Sequence, residues 1–360
     1  MVQNLSTLDI AKLLNDWHQS IKLQNMEEAK RIKMNIDEQK DHIEHDSKNM
    51  IYYLLLDARQ KLLLYQMKEA RDNLLKLETR THEMDGYLTY YYHFYKGDYE
   101  YNTEQFEQAI ESYQHAEEAL KYIPNAIEHA EFHYKVAAAY LQIDFLTLAL
   151  QHAENALDIY ISNKEYVRRT ADSHVLLGSI LTEVRNYDKA LFHYEEALGL
   201  YQRLKEPISI AIMKHNLAVL YSKNGESKKA IDYFQNSLNH TDQLSFRLKT
   251  FYYLAEEYFK IGDMTKGSQC LKTGYEIATS NSEKAYAYRY RVLEAFHLKP
   301  QEIEQIVPEA IQYFKKLNLW DFVEGYSLDF AEYYKEQGNH QKASEWLLSV
   351  VRAGRRFSSK

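Results

Sequence analysis

The chain has 360 residues, with 52 acidic and 44 basic side chains and a formal net charge of −8. That balance argues against a broad nucleic-acid footprint, which needs a basic surface, so no direct nucleic-acid partner is expected. No apolar run reaches the length of a bilayer span, so no membrane partner is expected either. The opening MVQNLSTLDIAK has no apolar core behind a basic flank and does not read as a secretory signal. A single cysteine, Cys270, rules out an intramolecular disulfide and a cysteine-based metal cluster, and the expected compartment is the reducing cytoplasm. Proline occurs 4 times and glycine 11 times. Both residues disrupt helix interiors, so their scarcity predicts helix nearly everywhere. The 32 tyrosines suit helix seams that stay partly wet, where a ring packs and its hydroxyl finds a partner.

In chain order, residues 1–85 contain neither glycine nor proline. The first helix carries Ile10, Leu13, Leu14, Trp17 and Ile21 on one face. A second helix spans Asn25–Gln39, and a third, Lys48–Gln66, holds Ile51, Leu54, Leu55, Leu62 and Leu63. Residues 1–66 therefore read as a three-helix bundle. A more polar stretch, 67–86, reads as a helical linker. A DNA-reading helix-turn-helix fits poorly, because no glycine marks a tight turn and acidic residues slightly outnumber basic ones.

From residue 87 onward small residues recur in phase. Ala109 has Gly97 twelve residues before it and Tyr113 and Ala116 after it. Ala190 has Gly178, Tyr194 and Ala197; Ala230 has Ala218, Phe234 and Ser237. Ala149, Gly267 and Ala343 anchor three more sets at a period of roughly forty residues. Two antiparallel helices approach closely only where side chains are small, and aromatics fill the gaps beside those contacts. The spacing is that of a tetratricopeptide (TPR) repeat with long helices. The gap between Gly267 and Ala343 predicts a degenerate repeat built from 282–296 and 301–317. The expected fold is all-α: an N-terminal three-helix bundle followed over 87–360 by a right-handed TPR superhelix of about six to seven repeats.

In such repeats the first helix of each pair lines a groove. Counting from the anchors places Asn216, Tyr253 and Asp329 at groove-facing positions, with Glu183 in the repeat before Asn216. An asparagine amide both donates and accepts, so it can grip a peptide backbone without reading sequence. Asp329 can pair with a basic side chain or an amino terminus. The competing readings are an interhelix hydrogen bond for Asn216, core packing for Tyr253 and solvated surface for Glu183 and Asp329. Lys249, Glu256 and Lys260 share the face. No cofactor is implied, since the glycines form no phosphate cradle. His42 and His45 have no third ligand, so no metal site is expected. Cys270 reads as a packed small residue.

LNDWHQSIK at 14–22, IEHDSKNMIYYLLLDARQKLLL at 43–64, YLTYYYHFYKGDYEY at 87–101 and EHAEFHYKVAAAYLQ at 128–142 together resemble four motifs of the Rap family, the response regulator aspartate phosphatases of Bacillus controlled by short Phr peptides. The first is similar to the family's LNxWYxxI opening. The second resembles its MEEDQxxxxYYxLLxFRHxLML helix. The third and fourth resemble LLKYYFNFFRGMYEF and EKAEFHFKVAEAYYHM. The resemblance implies that the bundle docks on a response regulator or another transcription factor. It also implies that the repeats bind a secreted, re-imported peptide that releases the target. The family's groove asparagine matches Asn216, and Glu183 stands where many members have aspartate. Target contacts are implied for Glu44, His45, Asp46 and Ser47. Members that dephosphorylate place a glutamine, able to hold a water in line with the aspartyl phosphate, where this chain has Ser47. A serine hydroxyl is too short to serve both water and phosphate. Sequestration of the target is therefore the expected activity, with aspartyl-phosphate hydrolysis through Ser47 as the alternative.

Overall fold

The computed structural model describes residues 7–23, 25–39, 43 and 47–357. Eighteen α-helices and no strand occur among the described residues. The chain divides into two compact units, residues 1–162 and 163–360.

The first unit opens with α1 (Thr7–Lys22), α2 (Met26–Asp37) and α3 (Ser47–Leu63). Ile10, Leu14, Trp17 and Ile21 of α1 are buried as their spacing predicts. The Trp17 indole donates to Gln60 Oε1 at 2.7 Å, which satisfies its one polar atom inside the core. Asn25 caps α2 by accepting from the Glu28 N–H at 3.3 Å. The stretch expected as a linker begins with a helix, α4 (Met67–Glu78), which packs on α3. Ala70, Leu74 and Leu77 are its buried face. Two TPR hairpins follow: α5 (Gly86–Asn102) with α6 (Phe106–Ala119), then α7 (Ala126–Gln142) with α8 (Leu146–Ser162).

The second unit holds five more hairpins. They are α9 (Val167–Glu183) with α10 (Tyr187–Leu204), α11 (Pro207–Lys223) with α12 (Ser227–Ser237), and α13 (Leu244–Lys260) with α14 (Met264–Ser280). The last two are α15 (Lys284–His297) with α16 (Ile303–Lys316) and α17 (Trp320–Glu336) with α18 (His340–Phe357). The α15/α16 pair is the degenerate repeat that the spacing predicts.

The anchors behave as the close-approach argument requires. Ala109, Ala149, Ala190 and Ala230 are fully buried. A Cβ on Gly178 would lie 2.5 Å from the Tyr194 ring, so that ring occupies the space a side chain would take. One turn closes most hairpins: a residue in the left-handed region, followed by an N–H that reaches back five residues. Asn186 donates to the Leu181 carbonyl at 2.8 Å and Gln105 to that of Glu100 at 2.8 Å. Gln66 makes the same bond to Lys61 at 2.9 Å, with Tyr65 at φ 55°. The α3/α4 pair is thus closed by the same turn as the repeats.

Candidate functional site

Ser47 is the first residue of α3, while Glu44, His45 and Asp46 lie outside the described residues. Its hydroxyl donates to the Glu83 carboxylate and accepts from Arg80 Nη2 at 2.9 Å. Arg80 Nε also donates to Glu83 Oε1 at 2.9 Å, and Lys48 pairs with Asp85 at 3.2 Å. The Arg80 hydrogen bond, then that of Ser47, holds the Glu83 carboxyl down at about 2. The start of α3 is therefore fastened to the segment that follows α4, and the Ser47 hydroxyl is committed on both sides. Sequence reasoning missed Arg80 and Glu83 because they fall in the stretch read as linker. Their spacing of three, which lets the two side chains meet within one turn, was the available signal.

Inside the same unit a buried charge network joins α3 to the first two hairpins. Arg59 pairs with Asp98 and with Glu131, and Lys135 Nζ lies 3.0 Å from Asp98. The Tyr113 hydroxyl donates to Asp98 at 3.1 Å. Burial acts to raise the Asp98 carboxyl, but Lys135 and Arg59 outweigh it and the net direction is down. On α1, Lys22 pairs with the buried Glu128 at 2.7 Å. Burial, then Lys22 and Arg59, push His18 down to about 3, so it is neutral beside the Tyr52 hydroxyl at 2.8 Å.

All four groove candidates lie in the second unit, each on the first helix of its hairpin. Asn216 on α11 is half-buried, and its amide makes no side-chain hydrogen bond among the described residues. The interhelix hydrogen-bonding role considered for it is absent from this structure. Its neighbour His215 meets the edge of Tyr253 at a centroid distance of 5.6 Å. Tyr253 stacks flat on Phe234 at 5.5 Å, so one face of its ring is packing. Glu183 is exposed and paired with Lys223 at 2.7 Å, and its charge is the smallest influence raising the Tyr253 hydroxyl, after burial, Glu256 and Tyr286. Asp329 lines a cavity of about 490 Å³ shared with Tyr252, Glu256, Tyr326 and Glu332. Burial pushes the Glu256 carboxyl up to about 7; it likewise pushes Asp329 up, to about 6, with Glu332 adding to the effect.

The weaker candidates divide. Lys260 is engaged with Glu257 at 2.5 Å. Lys249 is exposed and unpaired among the described residues, and its ammonium is lowered by burial and then by Arg289. Arg289 was missed because it sits on the degenerate repeat, which has no anchor to count from. Cys270 is half-buried, with its thiol pushed up to about 11 by burial and then by Asp263, as fits a packed residue. The described residues contain no group able to hold a metal ion and no helix long and apolar enough to cross a membrane. In chemical terms the first helices of the second unit carry a free amide at Asn216, an aromatic face at Tyr253 and a carboxylate-lined cavity at Asp329.

Comparison with known proteins bears on the family and the fold. The family model described as response regulator aspartate phosphatase H, N terminal, matches residues 4–65, and tetratricopeptide repeat models match 128–203 and 215–248. Response regulator aspartate phosphatase H of Bacillus subtilis (strain 168) is 27% identical over 364 residues, covering 98% of this chain and 96% of that protein. Regulatory protein RapC of the same organism is 28% identical over 358 residues, covering 96% and 94%. Among solved structures, a Rap protein complexed with competence and sporulation factor superposes with a TM-score of 0.80 at 25% identity, covering 98% of this chain and 99% of that one.

Proposed function

Because the chain belongs to the Rap family of TPR proteins, we propose that it is a cytoplasmic quorum-sensing regulator that binds and inhibits a response regulator or another transcription factor. A short signalling peptide in the TPR groove switches it off. Target contacts are placed on the bundle, residues 1–66, including Glu44, His45, Asp46 and Ser47. The peptide site is placed on residues 87–360, at Glu183, Asn216, Tyr253 and Asp329, with 67–86 between the two. The observation that carries the reading is the uncommitted Asn216 amide on a groove helix next to His215, whose ring meets Tyr253. A half-buried amide gives up solvent, and a peptide backbone amide replaces both its donor and its acceptor partners.

The second reading is hydrolysis of the target's aspartyl phosphate, which the phosphatase named among the relatives supports. The commitment of Ser47 to Arg80 and Glu83 favours sequestration over it, since the hydroxyl's one donor is spent on Glu83 and is not available to serve phosphate while a lone pair holds a water. A panel of Bacillus subtilis response regulators, labelled at the receiver aspartate, separates the two. Under sequestration the wild-type chain captures a regulator and leaves the label in place. Loss of label with the wild type, at a rate that Ser47→Ala abolishes, would establish the enzyme instead.

A further inference from the structure

The groove of the second unit contains a cation without an anion. Arg289 projects from α15 over three rings, at 4.3 Å from the Tyr252 centroid and 5.0 Å from those of Tyr286 and Phe322. Those rings come from α13, α15 and α17, the first helices of three successive hairpins. The Tyr326 hydroxyl lies near it, its Nε is buried without a partner, and no carboxylate pairs with it among the described residues. Ring faces attract a guanidinium but do not neutralise it. Glu256, whose carboxyl feels Arg289, is pushed to about 7 by burial and carries only part of its charge at neutral pH. A second unpaired cation, Lys249, lies close enough to Arg289 for the two charges to repel. A half-buried guanidinium without an anion, beside a second unpaired cation, is unfavourable to fold and favours an arriving anion.

The geometry points to a carboxylate clamp: Lys249 and Arg289 receive a carboxylate of the bound peptide, beside the cavity of Glu256 and Asp329 that receives its cationic group. This rests on the peptide reading of the groove and refines it, since the ligand must present an anion and a cation close together. The carboxylate comes from the peptide's C-terminus or from an Asp or Glu side chain. A planar guanidinium offers a carboxylate two parallel N–H donors, and the lysine adds a third contact.

A positional-scanning pool of synthetic pentapeptides with free termini supplies the probe, screened against the full chain by thermal shift and quantified by calorimetry. Each binder is remade as its C-terminal amide and, separately, with Asp and Glu replaced by Asn and Gln. One of these neutralisations weakens binding to the wild type at least tenfold and so identifies the carboxylate. Arg289→Met and Lys249→Met, each verified by native helicity, erase most of that difference, and Arg289→Lys keeps part of it. If both neutralised peptides bind as tightly as the parent while Asn216→Ala still weakens the parent, the clamp is wrong and the peptide groove stands. If no pool binds the wild type, the groove reading falls and takes the clamp with it.

Discussion

Asn216 and Glu256 show what a single position contributes and how visible it is beforehand. Asn216 was reachable by counting from Ala218, because the repeat spacing fixes which side of a helix faces the groove. Its lack of a hydrogen-bond partner was not, since that depends on what neighbouring helices bring near. Asn216→Ala is expected to weaken peptide binding about tenfold by calorimetry, within the roughly 1–3 kcal/mol lost when a peptide donor and acceptor are left without their partner. Helicity and target capture stay unchanged; a mutant with native helicity that still responds to peptide would remove Asn216 from the site. Glu256 is informative through pH. Its folded-state value of about 7 stands above the ordinary 4.5, so its contribution to stability is complete below about pH 4.5 and is lost as pH rises through about 7. Glu256→Gln should therefore raise the melting temperature at pH 8 and leave it nearly unchanged at pH 4. An equal shift at both would mean that burial does not govern this carboxyl.

At the level of helices and hairpins, the period of roughly forty residues follows from first helices that mostly run to 17 residues. The in-phase small residues made the hairpins legible, because helix approach leaves one choice of side-chain size at each crossing. Two glycines test that logic in opposite directions. Gly178→Ala drives a methyl into the Tyr194 ring and should destabilise by about 1–3 kcal/mol. Gly199, on α10, has no atom within 4 Å of a would-be Cβ, and its replacement by alanine should stabilise by up to about 1 kcal/mol. Urea unfolding of the two variants checks both signs. The α3/α4 hairpin was missed although Ala58 stands twelve residues before Ala70, the offset of Gly97 before Ala109; its turn, made by Tyr65 as others are by Glu104 and Arg185, carries no glycine to mark it. The charge network was hidden for a different reason: Arg59, Asp98, Glu131 and Lys135 are spread over three helices, and only packing brings them together. Arg59→Met leaves Asp98 buried beside one cation instead of two and should cost about 3–5 kcal/mol in urea. A loss below about 1 kcal/mol would show that water reaches Asp98 once the arginine is gone.

For the whole molecule, the bundle belongs to the first unit and the groove to the second, so what links target to peptide is a coupling free energy. Such a coupling is reciprocal: a peptide that weakens target binding by some factor is itself weakened by the target by the same factor. The family was legible from four segments spread across the first 142 residues. The peptide's chemistry was not, because it depends on which charges, such as Arg289 and Lys249, packing leaves unpaired in the second unit. The most direct measurement takes the response regulator captured by the full chain and a peptide recovered from the pentapeptide pool. Target affinity is measured by calorimetry with and without saturating peptide, on the wild type and on Asn216→Ala. A peptide-switched regulator gives a target affinity that falls at least tenfold at a peptide concentration just saturating the wild type, and falls by less on Asn216→Ala at that same concentration. Equal target affinity with and without bound peptide on the wild type would contradict the account.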